Sequence, residues 1–399
     1  MIILAINSGG SSFKYRAYQM PEQLELAKGS VERVGSQEAS LKHQKAGREA
    51  VARTQPIPGH REAIQAAFEL LMDPEEGVIA DLSELDSIAH KLIHSGPDQV
   101  AAKRLGFESL PLLRDGAKLA PLHTQFMVLG VELCLELAPK VAQVGVFETS
   151  FHRTLPPKAY TYAFPASWIE KYGLRRFGFH SMSHSYLAER APELLGRCAQ
   201  GLRQINCHLG SGSSICAVLS GQSVDISSGF SPEAGIPMST RPGDYDAEAL
   251  LFAMEQEGLS RLDVIKKLTK ESGLLALSGV SDDNRDIRAA AEAGNQRAAL
   301  ALEVLAYSVQ KYIGAYMATL AGCDVIAFSG GIGENEAGTR AAILAPFGYV
   351  GLRLDEAANA SGPAERRISA PDSAIEVWVI PTNEEVMVAR HAYNLLQSE

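Results

Sequence analysis

The chain has 399 residues, 46% of them hydrophobic and 21% charged, with a formal net charge of −10. That length predicts two or three domains with sizeable cores, and the acidic balance argues against nucleic acid or an anionic membrane as a partner. Five scattered cysteines with no CxxC pair fit a reducing cytosol and speak against a disulfide framework or a structural zinc site.

The apolar run MIILAI opens the chain. It is too short for a signal-peptide core, has no basic segment before it, and no stretch is long and apolar enough to span a bilayer, so a cytoplasmic protein is expected. The run leads through Gly9, Gly10, Ser11 and Ser12 into FKYRAY. Two β-prone runs around a Gly-Ser turn predict a hairpin. The same turn can also cradle a phosphate: small residues let backbone N–H groups approach an anion, hydroxyls such as that of Ser12 add donors, and Lys14 adds charge. Taken alone, the plain hairpin is the simpler reading.

Further along, HREAIQAAFELLMD and HTQFMVLGVELCLELAP have helical spacing, while SIAHKLIHSG and VAQVGVF read as buried strands. From about residue 150, HSYLAERAPELLG predicts a helix, and RQINCHLGSGSSICAVLSGQSVDI predicts strand, turn, strand, turn, strand. SRLDVIKKLTKE and one long pattern from Asp286 to about Leu320 predict helices. DVIAFSGGIGENE reads as a buried strand running into a glycine turn, Asp355 to Ala374 as a loop, and VWVIPTNEEVMVARHAYNLLQ as strand, turn and helix. The mixture predicts an α/β fold.

One long-range echo stands out. GGSSFKY at Gly9–Tyr15 is repeated as SGSSICA at Ser211–Ala217, each between β-rich runs. Two equivalent Gly-Ser hairpins predict a duplicated fold with two phosphate-binding turns facing a cleft between half-domains. No Walker loop occurs, and GSGSSI lacks both the third glycine and the following helix of a dinucleotide fingerprint. FSGGIGENE, by contrast, ends a strand and opens toward a helix, which suits a nucleotide over a helix N-terminus or a plain β–α turn.

Together, HLGSGSS, GFHSMSH, STRPGD, SGLLALSG, YIGAYMATL, FSGGIGEN and IPTNEE, in this order along the whole chain, resemble the acetate kinases of the acetate and sugar kinase/Hsp70/actin superfamily. The resemblance implies two duplicated actin-like, RNase H-like domains around a nucleotide-binding cleft. Their expected bounds are residues 1–149, joined by the C-terminal helix 384–399, and residues 150–383. It implies ATP or ADP as substrate, Mg²⁺, acetate or acetyl phosphate as the other substrate, and a homodimer. Asn7 and Glu384 match positions associated with the metal, and Glu148 a catalytic carboxylate near it. Ser12, Lys14, His208, Gly210 and Gly212 match the two hairpins. Asp283, Arg285, Gly331 and Asn335 match nucleotide-binding positions. His180 and Arg241 match residues that stabilise the transferring phosphoryl group. Lys91 matches the substrate-binding position, and Ile93, Leu122, Phe179 and Pro232 match a small apolar pocket for the methyl group.

Several positions depart from the family pattern. Gly10 replaces the first serine of the first hairpin, Lys91 an arginine, Glu148 an aspartate, Ser211 an asparagine, and Ser181-Met182 a Gly-Thr; Ile93 stands for the commoner valine. Two alternatives therefore accompany acetate kinase: a propionate or butyrate kinase, and a catalytically eroded nucleotide-binding protein. A pyrophosphate-using relative is disfavoured by the intact GGIGEN. His90, His94, His123, His152 and His184 lack HExxH spacing and read as loop and hydrogen-bonding histidines.

Overall fold

The computed structural model describes residues 1–94, 100–116 and 121–399, without the side chains of 121–123. The chain divides into two compact units, one of Met1–Ser150 with Asn383–Glu399, the other of Phe151–Thr382.

The first unit is built on an eight-stranded sheet of order β5-β4-β3-β2-β1-β6-β8-β7. In chain order these are β1 (Ile2–Ser8), β2 (Ser12–Gln19), β3 (Leu24–Glu32), β4 (Ser36–Lys45), β5 (Val51–Ile57), β6 (Ser87–Leu92), β7 (Ala102–Leu105) and β8 (Ala142–Phe147). β1 pairs antiparallel with β2 and parallel with β6, which pairs parallel with β8. Helices α1 (His60–Leu71) and α2 (Pro121–Leu137) cover the sheet. Ile64, Phe68, Leu71, Leu133 and Cys134 meet Leu4, Ile6, Phe13 and Ile88 of the strands in one buried cluster. The last helix, Glu384–Ser398, packs on β1, β6, β7 and β8, so the end of the chain belongs to the first unit.

The second unit carries a six-stranded sheet of order β11-β10-β9-β12-β14-β13. Its strands are β9 (Arg203–Leu209), β10 (Ser213–Leu219), β11 (Gln222–Ile226), β12 (Val325–Ser329), β13 (Arg366–Arg367) and β14 (Glu376–Val379). β9 pairs antiparallel with β10 and parallel with β12, and β12 parallel with β14. The core β11-β10-β9-β12-β14 thus repeats, strand for strand and in direction, the β3-β2-β1-β6-β8 core of the first unit. This is the duplication that the two Gly-Ser hairpins announced, in the actin-like architecture that the resemblance implies: both turns close the first hairpin of their sheet.

Helix α3 (Ser181–Leu195) begins three residues before the helical stretch read from the sequence. The long pattern from Asp286 is broken into α4 (Asn284–Glu292) and α5 (Gln296–Thr319). Gly294 turns the chain at φ +93°, and Asn295 caps α5 by accepting from the amides of Arg297 and Ala298. Periodicity survives the break, which is why the sequence reads as one helix. The stretch from Asp355 to Ala374 also holds more than a loop: a short helix, Glu356–Ala360, and the edge strand β13. The glycine cluster after β12 is itself a helical turn, α6 (Gly330–Asn335), and Glu384–Ser398 is α7. Among the described residues no helix is long and apolar enough to cross a membrane.

Candidate active site

Sheet register brings the polar residues of the first unit to one place. Asn7 lies opposite Lys14 across β1 and β2, and Ile6 pairs with His90, so Asn7 lies beside Lys91. Lys91 pairs with Val146, two residues before Glu148, and alternation returns Glu148 to the same face. The Glu148 amide donates to the Leu92 carbonyl at 2.8 Å, which ties its backbone to the end of β6. Glu384 opens α7 behind its N-cap Asn383, whose Oδ1 accepts from the Val386 amide and from the Tyr18 hydroxyl.

Lys91 Nζ lies between the two carboxylates, 2.7 Å from Glu148 Oε1 and 2.5 Å from Glu384 Oε2. Burial works against the ammonium, but the two carboxylates outweigh it and hold the Lys91 pKa above its ordinary value. The trio carries a net negative charge. Two carboxylates and the Asn7 amide form an all-oxygen set of the kind Mg²⁺ takes, since that ion keeps several waters and needs few protein ligands. Among the described residues no larger group of His, Cys, Asp or Glu is arranged for a metal.

The first Gly-Ser turn is supported by residues that sequence reading passed over. His60 Nε2 hydrogen-bonds the Gly9 carbonyl at 2.8 Å, and its ring stacks on Phe126 at 5.3 Å between centroids. A side chain at Gly10 would bring its Cβ to 3.2 Å from Phe126 Cε2, a tight contact that glycine avoids. The only sign of this in the sequence is that both residues sit on apolar helices. Ser12 begins β2; Lys14 is exposed and pairs loosely with Glu32 at 3.8 Å. Ile93 is half-buried just past β6, and Leu122 lies in α2 with its side chain outside the described residues.

The second unit gathers a larger set. A Cβ at Gly212, in the β9–β10 turn, would lie 2.7 Å from Arg241 Nη2 and 2.9 Å from His180 Nε2. Turn backbone, guanidinium and imidazole therefore converge on one point, and only glycine leaves it open. Arg241 Nη1 donates to the Pro232 carbonyl at 3.0 Å. Burial pushes the Arg241 pKa down, partly offset by the charge of Glu233, and among the described residues no carboxylate forms an ion pair with it. The STRPGD loop holds the arginine by its backbone. The Ser239 amide donates to Ser211 of the turn, the Met238 amide to the Arg241 carbonyl, and the Leu274 and Leu275 amides to Met238 and Ser239. The motif SGLLALSG thus acts as a brace for Arg241.

His180 is the N-cap residue of α3 and sits in the left-handed region at φ +59°, rare for a residue with a side chain. Its ring stacks on His208 at 4.6 Å, and Nδ1 is 2.8 Å from Ser214 Oγ. His208 Nδ1 in turn meets Ser183 Oγ at 2.8 Å. The Ser181 hydroxyl accepts from the Phe151 amide at 3.0 Å. Phe179 is buried beside His180, and Pro232 is half-buried.

Behind the turn, α6 begins at the end of β12, which runs parallel to β9 with Ser329 beside His208. A Cβ at Gly330 would meet the Leu209 carbonyl oxygen at 2.6 Å, and one at Gly210 would lie 3.7 Å from the Gly331 amide, so the two glycine segments touch. Asn335 Nδ2 closes α6 by donating to the Gly331 carbonyl at 2.8 Å. Asp283 caps α4 and pairs with the exposed Arg285 at 2.6 Å; hydrogen bonds from Arg285 hold its carboxyl down at about 2. This segment reaches the others through Ser239, whose hydroxyl donates to the Asp282 carbonyl at 2.7 Å. Gly210, Gly212, Gly331, Asn335, His208, His180 and Arg241 are thus contiguous, at the carboxyl ends of β9 and β12 where α/β sheets bind ligands. Asp283 and Arg285 lie one loop away.

The model of the acetokinase family matches residues 2–390. The acetate kinase of Dictyoglomus turgidum is 44% identical over 99% of this chain and 98% of its own length. That of Desulfitobacterium hafniense is 45% identical over the whole of both. Among solved structures, the acetate kinase of Porphyromonas gingivalis superposes with a TM-score of 0.90 at 38% identity and 99% coverage of both chains. A propionate kinase from Francisella tularensis also reaches 0.90, at 30% identity and 98% coverage of both. A match over nearly the full length, to the family model and to relatives at 44–45% identity, makes this chain a member of the acetokinase family.

Proposed function

We propose that this protein is an acetate kinase that reversibly transfers the γ-phosphoryl group of ATP to the carboxylate of acetate, forming acetyl phosphate and ADP. The observation that carries this reading is the convergence of the Gly212 turn, Arg241 Nη2 and His180 Nε2 on one point, with the arginine paired to no carboxylate among the described residues. Such a place suits an anion. In phosphoryl transfer the transition state is loose and its charge spreads over equatorial oxygens, so stabilisation comes from fixed donors and cations rather than from covalent chemistry. Arg241 offers a planar fork to two of those oxygens, and His180 Nε2 a donor to a third. The backbone of the 210–212 turn and the Gly331 segment fits the remaining phosphates and the nucleoside, with Asp283, Arg285 and Asn335 at its edge. Ser12, Lys14 and His208 complete the phosphate contacts.

Asn7, Glu148 and Glu384 would hold Mg²⁺, which when bound offsets phosphate charge. Lys91 would take the acceptor carboxylate as a point charge, exchanging a glutamate contact for it. Ile93, Leu122, Phe179 and Pro232 would bound the methyl group. Ile is one methylene larger than the commoner valine, which favours the smallest acid. A second reading, a propionate kinase, draws on the Francisella propionate kinase superposing at the same TM-score of 0.90. A homodimer and a cytosolic location complete the reading. The dimer draws support from exposed apolar side chains of the second unit such as Phe252, Leu262 and Tyr307.

Trapping acyl phosphates with hydroxylamine, in the presence of ATP, Mg²⁺ and acetate, propionate or butyrate, tests this directly. Acetate is expected to give the highest kcat/KM. A higher value for propionate selects the second reading, and no product from any acid leaves only a nucleotide-binding protein.

A further inference from the structure

Behind His180 lies a buried chain of side chains that the reaction as described does not use. Ser214 Oγ, on β10, is 2.8 Å from His180 Nδ1 and 2.8 Å from His184 Nε2. Ser214 and His184 are fully buried, and among the described residues the two imidazoles are the side-chain partners of this hydroxyl. The other ring nitrogen of His184, Nδ1, is buried with no hydrogen-bond partner.

We infer that His184 and Ser214 form a positioning relay that holds His180 in the neutral tautomer with its proton on Nε2, facing the point where Gly212 and Arg241 converge. The argument is a proton count along the chain. A neutral imidazole carries a proton on one nitrogen only. On His184 Nδ1 that proton would be a buried N–H with no acceptor, a condition rarer and costlier than an unused acceptor nitrogen. The proton therefore sits on His184 Nε2 and is donated to Ser214 Oγ. The hydroxyl has one proton of its own, and the remaining partner for it is His180 Nδ1. That nitrogen must then accept, which leaves the His180 proton on Nε2. A doubly protonated His180 would reverse the chain and strand a proton on His184 Nδ1. Burial also depresses the His184 pKa well below its ordinary value, which keeps that ring neutral.

The consequence for chemistry is direction. With the proton on Nε2, His180 is a hydrogen-bond donor to the arriving phosphoryl oxygen; with the proton on Nδ1, it would present a lone pair to an anion. The left-handed backbone at His180 aims the ring, and the relay sets what the ring presents. The inference rests on the proposed role of His180, but its central claim can be read without activity.

The experiment uses the full-length protein labelled with ¹⁵N-histidine. Long-range ¹H–¹⁵N correlation spectra distinguish the tautomers, with the His180 signal assigned by its loss in His180→Ala. In the wild type His180 is expected as the Nε2–H form; an Nδ1–H form overturns the relay. In Ser214→Ala the single tautomer should give way to a mixture. There kcat should fall about 10- to 100-fold, as is usual when a group orienting a functional histidine is removed, while KM for ATP stays within about twofold. Ser214→Thr keeps the hydroxyl on a strand that favours β-branching and should restore both tautomer and rate. An unchanged tautomer and rate in Ser214→Ala would also overturn the relay. A wild type with the Nε2–H form but no kinase activity upholds the relay and sinks the phosphoryl-transfer reading instead.

Discussion

Replacing Arg241 by alanine isolates the charge at the centre of the proposed site. One preorganised donor to a developing anion is worth about 10²–10³ in kcat, and an arginine on a transferring phosphoryl group about 10³–10⁵. Here His180 Nε2 and the turn at Gly212 remain after the substitution, so the lower part of the second range applies. The expected loss in kcat is about 10³-fold, or about 4 kcal/mol of transition-state stabilisation. The structural cost is small by comparison. The substitution removes the 3.0 Å hydrogen bond to the Pro232 carbonyl, worth about 1 kcal/mol, and Pro232 is open enough to take a water instead. The melting temperature should therefore fall by no more than about 2–4 °C. KM for ATP should move less than about threefold, because the charge matters most when the phosphoryl group is in flight. Arg241→Lys keeps the charge but neither the fork nor the reach to Pro232, and should fall between wild type and alanine. The assay is steady-state hydroxamate formation with acetate, alongside a thermal melt of the same preparations. A kcat within about fivefold of wild type, in a variant with an unchanged melt, would remove Arg241 from the mechanism.

Three further outcomes are expected. Lys91→Ala leaves Glu148 and Glu384 facing each other without their shared ammonium. It should raise KM for acetate strongly and cost roughly 2 kcal/mol, less than a fully buried pair because Lys91 and Glu384 keep some exposure. Adding Glu148→Gln should recover stability but not acetate affinity, and equal melts for the two variants would refute the pairing. Gly10→Ser should cost about 1 kcal/mol by overpacking against Phe126, read as a lower melting temperature. The penalty should vanish in a Phe126→Leu background; its persistence there would show that Phe126 is not the obstacle. His90 and His152 are held at about 4 by burial, and His184 well below its ordinary 6.5 by the same cause. The unfolded chain binds protons on these residues that the folded one refuses, so their contribution is complete above pH 6.5 and is lost progressively as pH falls, for His90 and His152 down to about 4. Each adds a slope of up to about 1.4 kcal/mol per pH unit. A melting temperature that stays level between pH 6.5 and about 5 would contradict buried, neutral histidines.

Local order was legible along the chain wherever one segment carries its own instructions. The hairpins at Gly9–Ser12 and Gly210–Gly212 follow from small residues between apolar runs, and their resemblance to each other announced a duplication that the strand orders of both sheets repeat. Helices with a clean apolar stripe, such as α1, could be read to within a few residues. Reading failed where a local signal was weak or shared. The strands β3 to β5 are half exposed and mix charges into their alternation, and the Gly294-Asn295 break leaves helical periodicity on both sides intact.

The candidate residues could be named from motifs, but what each one touches is set by long-range pairing. Lys91, Glu148 and Glu384 lie far apart in sequence and meet because the registers of β6 and β8, and the return of α7 onto their face, put them there. Gly212, His180 and Arg241 likewise come from a turn, a helix start and a loop zipped to SGLLALSG. Phe126, behind Gly10, carries no motif of its own, and Ser214 lies in HLGSGSS but nothing local shows that it bridges His180 and His184. Backbone propensity acts over a few residues and so is written in the local sequence. Ion pairs, close approaches and hydrogen-bond tautomers depend on distances of a few ångströms between remote segments, and those exist only once the sheets have formed.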